Sequence, residues 1–281
     1  MSKLLLCTDL DRTLLPNGPQ PESVQARKLF SQLVRRPEVT LAYVTGRDPA
    51  RVDDAIKEYD IPLPDYVIAD VGASIYCLKS NDWEHWPIWD ENIEKAWVNH
   101  HHADLKSLLM PFPELEIQEA NKQSTFKLSY YVSLSISHKK LLEKLSKVLS
   151  DKNIHANLIW SIDEEKNTGL LDVLPGNAGK REAIDFLSTQ LGFKHSEVIF
   201  AGDSGNDISV MASPIQAVLV ANASEDVKQE AIHQAQTNGF SEQLYLAKGN
   251  FHHLNGNYSS GILEGTVHYM KQAEAWIWSQ T

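Results

Sequence analysis

An α/β fold, built on a Rossmann-like parallel sheet core with an inserted α+β domain, is predicted by three features of this 281-residue sequence. The first is the run Leu4 to Thr8, apolar nearly throughout and short, which reads as a strand buried on both faces. The second is the alternation that follows, strand-like runs separated by helical patterns, which implies parallel pairing through right-handed crossovers. The third is a break in texture near Trp83, after which the same rhythm resumes at Gly169.

In chain order, the opening strand is followed by a helix (Glu22 to Leu33), a strand (Val39 to Val44), a helix (Pro49 to Tyr59) and a strand (Tyr66 to Asp70) ending at the Gly72 turn. Residues 83–168 read as an insertion. They hold clustered tryptophans, alternating runs at Ser124 to Ser133 and Asn157 to Ile162, and a charged helix from His138 to Leu149. A strand at Gly169 to Leu174, a helix at Lys180 to Leu191 and strands at Val198 to Ala201 and Ala217 to Val220 return to the first pattern. The expected division is therefore a core of 1–82 and 169–281 around an insertion of 83–168.

Composition narrows the function. A net charge of −11 argues against nucleic acid and against an anionic membrane surface, while leaving room for a small anionic ligand held by local positive groups. No apolar run approaches bilayer length, and the N-terminal one is too short for a signal peptide. Cys7 and Cys77, the only cysteines, read as structural thiols of a reducing compartment, so a cytoplasmic location is expected.

Four constellations carry chemistry. Asp9 and Asp11 close the first strand, where alternation points both to one side with Leu10 opposite. Paired carboxylates there are costly unless a cation or proton holds them, although acids at strand ends are also ordinary loop residues. Thr45-Gly46-Arg47 ends the second strand; a hydroxyl followed by a glycine amide makes an anion cradle, and equally an ordinary N-cap turn. Lys180 opens a helix after a Pro/Gly turn, where the dipole disfavours a cation; an anionic partner or simple solvation would each explain it. Gly202-Asp203-Ser204-Gly205-Asn206-Asp207 could hold a hard divalent cation through oxygens, or be a common acidic turn. EF-hand spacing is absent.

Taken together, DxDxT, Thr-Gly-Arg, a lysine after a glycine turn, and GDxxND, in that order, resemble the haloacid dehalogenase superfamily of phosphohydrolases. That resemblance implies residue roles. Asp9 would be the nucleophile that becomes an aspartyl phosphate, and Asp11 the general acid and then base. Thr45, Gly46, Arg47 and Lys180 would hold phosphoryl oxygens and substrate. Asp9, the Asp11 carbonyl and Asp203 would ligate Mg²⁺, with Asp207 and the substrate-side Asn206 completing the site. The insertion would be the cap that closes over the substrate.

Within the superfamily the chain looks most like the sucrose-phosphate phosphatase family, on strings such as Val71-Gly72-Ala73-Ser74-Ile75-Tyr76, Phe126-Lys127-Leu128-Ser129-Tyr130 and Ser260-Gly261-Ile262-Leu263-Glu264. The resemblance implies Mg²⁺-dependent hydrolysis of sucrose 6-phosphate, with sucrose-phosphate synthase as a possible partner. Phosphatases of mannosylfructose phosphate, glucosylglycerate phosphate or mannosyl-3-phosphoglycerate are the neighbouring readings. A phosphotransferase or mutase and a non-catalytic regulatory module are the more distant ones. No arginine lies between Arg51 and Arg181, which argues against the two carboxylate-bearing substrates. Lys127 and Tyr130 on one cap strand and Asp172 near the hinge are the expected sugar contacts. The tryptophans at 83, 86 and 89 recur at helical spacing and read as packing, and His100 to His102 as a solvated run rather than a metal site.

Overall fold

The computed structural model describes residues 3–80, 82–98, 100–163 and 166–278. Its strands are β1 (Leu4–Thr8), β2 (Val39–Val44), β3 (Tyr66–Ala69), β4 (Ser74–Lys79), β5 (Asp82–His85), β6 (Glu116–Ile117), β7 (Leu128–Val132), β8 (Ala156–Asp163), β9 (Thr168–Pro175), β10 (Val198–Gly202), β11 (Gln216–Leu219) and β12 (Leu244–Leu246). Among the described residues they form an eight-stranded sheet, ordered β12-β11-β10-β1-β2-β3-β4-β5, and a four-stranded sheet, β6-β7-β9-β8.

β1 lies inside the large sheet because it can bury both faces. Leu4 and Leu6 join the apolar cluster on one side, Leu5 and Cys7 the cluster on the other. It pairs in parallel with β2 on one edge and β10 on the other, so the chain order reverses here. Open sheets bind ligands at such a switch point, beyond the carboxyl ends of the strands. Thr8 is level with Tyr43 of β2 and Ala201 of β10, which brings the segments carrying Asp9, Thr45 and Asp203 to one edge.

The small sheet is covered on one face by helices His102–Leu109 and His138–Ser150. Leu141, Leu145 and Leu149 recur every fourth residue and bury, in one cluster, with Leu128, Tyr130 and Val132 of β7. The opposite face carries Lys127, Ser129, Asp172 and Ser161, with Ser129 directly across from Asp172. That face meets the large sheet: Lys127 Nζ lies 3.4 Å from the Gly46 carbonyl oxygen.

Five of the six strands expected of the core, β1, β2, β3, β10 and β11, are present and parallel. Two other expectations change. The strand expected at Gly169 to Leu174 is β9, between β7 and β8 of the small sheet and antiparallel to both. Its burial alternates up to Val173, whereas β1 is buried at every position. Conversely, residues 82–93 pack with the large sheet. Trp83 lies on β5, Trp86 in the link, and only Trp89 on helix Pro87–Ile93, so their spacing of three is not one helical face. The packing reading of these rings is nevertheless correct, since Trp86 and Trp89 both contact Phe186 at ring-centroid distances of 6.1 and 4.9 Å. No helix among the described residues is long and apolar enough to cross a membrane.

Candidate active site

Lys180 organises the crevice. It is the first residue of helix Lys180–Gln190 and wholly buried, and its Nζ lies 2.7 Å from Asp9 Oδ2 and 2.6 Å from Asp207 Oδ1. A cation at that helix end opposes the dipole and loses hydration, and two carboxylates offset both costs. Burial alone would lower the Lys180 pKa; the charges of Asp207 and Asp9 outweigh it and raise the pKa above the ordinary lysine value. Asp207 is aimed by the turn that carries it: its Oδ2 accepts the N–H groups of Asp203 and Ser204, each at 3.0 Å. Gly202 makes room, because a Cβ there would lie 2.5 Å from the Asp207 carboxyl carbon.

The site holds more negative than positive charge. Asp9, Asp203 and Asp207 are all buried and can offer oxygens within 4.8 Å of one another. Arg12 stands 3.7 Å from Asp203, and Thr13 Oγ1 donates to Asp203 at 3.0 Å. Burial, then the charges of Asp207 and Asp9, push Asp203 well above the usual carboxylate range. Burial likewise pushes Asp9 up to about 7, even though Lys180 opposes the shift. Three buried carboxylates facing one lysine and one arginine suit a hard divalent cation such as Mg²⁺, through hard oxygen donors. The Asp11 side chain stands apart from this cluster.

Asp11 instead meets the second motif. Arg47 donates to both of its oxygens, Nε to Oδ2 at 2.8 Å and Nη2 to Oδ1 at 2.6 Å, and Asn17 Nδ2 adds a contact at 2.7 Å. Burial favours the neutral acid, but the Arg47 and Asn17 contacts prevail and hold the Asp11 pKa below its ordinary value. Thr45 is fully buried, with its Oγ1 accepting the Arg47 N–H at 3.2 Å. Beneath it runs the turn Asp70-Val71-Gly72, whose three residues all have positive φ (54°, 60° and 99°). Gly72 is obligatory there, since a Cβ would lie 2.2 Å from the Gly179 carbonyl carbon, immediately before Lys180.

Beside the small sheet, Lys127 is 3% exposed and pairs with Asp70 Oδ1 at 2.8 Å. Ser129 hydrogen-bonds to Asp172, whose pKa is raised by burial against the opposing charge of Lys127. Tyr130 does not stand beside Lys127. It points to the opposite face, into the apolar cluster with Leu128 and Val132, because residues three apart on a strand face opposite ways. Asn206 is half-buried at the crevice, its Oδ1 3.2 Å from Ser204 Oγ. Sequence reasoning missed Asp70, Ser129 and Asn222. Ser129 was signalled by its spacing of two from Lys127. Asn222 had no local signal, yet it donates to the Arg12 carbonyl at 2.6 Å and accepts from Tyr258 N–H at 2.8 Å, tying the DxD loop to the C-terminal segment.

Comparison with known proteins fits this geometry. The family model for sucrose-6F-phosphate phosphohydrolase matches residues 2–270. The chain belongs to that family. It is a phosphoric monoester hydrolase with the haloacid dehalogenase fold. A HAD-like hydrolase of Nitrosococcus oceani is 47% identical over 275 residues, 98% of this chain and 74% of that protein. Sucrose-phosphatase 1 of Nicotiana tabacum is 29% identical over 233 residues, 81% of this chain; the match spans 52% of the tobacco protein, about half its length. The sucrose-phosphatase of Synechocystis sp., solved with sucrose and phosphate, superimposes with a TM-score of 0.77 at 24% identity, covering 96% of this chain and 98% of that one.

Proposed function

We propose that this chain is a Mg²⁺-dependent sugar-phosphate phosphatase working through an aspartyl phosphate on Asp9, with sucrose 6-phosphate the foremost substrate. The observation that carries the reading is the buried Asp9–Lys180–Asp207 arrangement at the sheet's switch point. A carboxylate cannot approach a phosphate dianion in a dry crevice unless cations offset the repulsion, and Lys180 is placed to do so. The bound cation, held by Asp9, Asp203 and Asp207 with the Asp11 carbonyl, would supply further charge neutralisation.

In the first step Asp9 attacks phosphorus, the ester P–O bond breaks, and Asp11 gives its proton to the leaving sugar alkoxide. In the second, water attacks phosphorus and loses its proton to Asp11, and the acyl phosphate breaks to free phosphate and Asp9. Thr45, Gly46 and Asn206 hold the phosphoryl oxygens. As held by Arg47, Asp11 is a base; it acts first as an acid once Arg47 releases it, and an incoming phosphate is the natural competitor for Arg47.

The small sheet and its apolar cluster are taken as the cap, spanning about 97–175 rather than 83–168. Its Ser129 and Asp172 provide donors and acceptors for sugar hydroxyls, while Lys127 is held by Asp70 and Tyr130 acts only by packing. Two buried free thiols suit action in the cytoplasm, where a synthase would supply the substrate. The test is a panel of sugar phosphates with and without Mg²⁺. Phosphate release from sucrose 6-phosphate only with Mg²⁺ supports the reading; preference for mannosylfructose phosphate would reassign the substrate, and indifference to Mg²⁺ would remove the cation.

A further inference from the structure

We infer that Asp70 is a positioning residue for substrate selection: through its buried ion pair with Lys127 it seats the small sheet on the Thr45–Arg47 cradle. The inference rests on the sugar-phosphate reading above, and it assigns a residue outside the phosphate and cation ligands proposed there. Three observations converge. The pair is dry, with side chains 3% and 9% exposed and Nζ 2.8 Å from Oδ1. It joins two layers, Lys127 preceding β7 and Asp70 following β3. The same Nζ reaches the Gly46 carbonyl at 3.4 Å, inside the anion cradle.

The turn that carries Asp70 is unusually fixed. Asp70 and Val71 hold left-handed φ values of 54° and 60°, a conformation that persists only where the surroundings enforce it. Here they do. Asp70 N–H donates to the Arg47 carbonyl at 3.2 Å, Val71 N–H to the Thr45 carbonyl at 2.9 Å, and Trp89 Nε1 to the Gly72 carbonyl at 3.1 Å. The turn that carries the Asp70 carboxylate is thus held by the cradle's backbone, and Lys127, just before β7, closes on that carboxylate. A buried ion pair adds little net stability over an apolar contact, but it defines registry, because every misaligned docking leaves two unpaired buried charges. Lys127 in turn stands on the face that carries Ser129 and Asp172, so its seating fixes where the sugar-facing row lies relative to phosphate.

The test uses the whole chain with Asp70→Asn, Lys127→Met and the double variant, assayed on sucrose 6-phosphate and on p-nitrophenyl phosphate, an ester too small to need the small sheet. Asp70→Asn should lower kcat/KM for the sugar phosphate about tenfold or more while changing the aryl ester less than about threefold, and the double variant should be no worse than the poorer single one. Equal losses on both esters would overturn the inference, because Asp70 would then act on the cradle itself. So would a loss from Lys127→Met that Asp70→Asn does not share. If Asp70→Asn fails to fold, hydrogen exchange of residues 66–75 in Lys127→Met decides: faster exchange there supports the clasp, and unchanged exchange refutes it. Failure of the underlying reading looks different, since the unmodified chain would then not prefer any sugar phosphate over the aryl ester.

Discussion

Asp9 and Asp11, separated by Leu10 alone, sit in opposite electrostatic settings. Burial raises the pKa of Asp9 to about 7, while Arg47 and Asn17 hold that of Asp11 below its ordinary value. An acid whose folded pKa lies above its unfolded one stabilises the fold below the unfolded pKa, and that contribution is lost as pH rises through the folded value. Without a divalent cation, stability should therefore fall as pH rises from the ordinary aspartate value of 3.8 to about 7, with Asp203 acting in the same direction. Mg²⁺ should restore it, more at pH 8 than at pH 5. Thermal unfolding in EDTA and in Mg²⁺ across that range checks this; a Mg²⁺-independent midpoint at every pH would contradict the cation site. Arg47→Lys replaces a planar fork with a point charge, so kcat/KM should drop by about ten- to a hundredfold. Steady-state kinetics with an unchanged unfolding midpoint would locate that loss in the site.

Elements explain which parts were legible beforehand. The motif residues were readable because their chemistry is concentrated at strand ends, where two acids, a Thr-Gly pair or a glycine-flanked lysine stand out locally. Tyr130 was misplaced because an odd spacing on a strand changes face, and β9 because an apolar strand leading into a core helix resembles a core strand. Asp70 was invisible, since its significance depends on Lys127, which is remote in sequence. The small sheet depends on its helices: Leu145→Ala should cost about 2–5 kcal/mol locally, lowering turnover of a sugar phosphate while sparing p-nitrophenyl phosphate. Hydrogen exchange confined to residues 97–175 would confirm that the damage is local.

At the scale of the molecule, the buried helix Ser259–Tyr269 acts as a brace for the crevice. Its buried Glu264 accepts from Tyr245 Oη and from the backbone N–H of Lys248, Gly249 and Asn250, fixing a loop that continues to Tyr258 and Asn222. Glu264→Gln weakens charged hydrogen bonds and should lower global stability by about 1.5–3 kcal/mol in denaturant titration, with kcat of the folded fraction retained. Against a formal charge of −11, Lys180 and Arg47 are committed to carboxylates in the crevice, and Lys127 to one at the joint between the two sheets. The central claim is that Asp9 takes the phosphoryl group. Its most direct test is acid quenching during turnover of phosphoryl-labelled sucrose 6-phosphate, followed by peptide mapping. Hydroxylamine-labile label on the peptide containing Asp9, absent in Asp9→Asn, is the predicted result. Hydrolysis that leaves no label on that peptide, or that persists in Asp9→Asn, would contradict it.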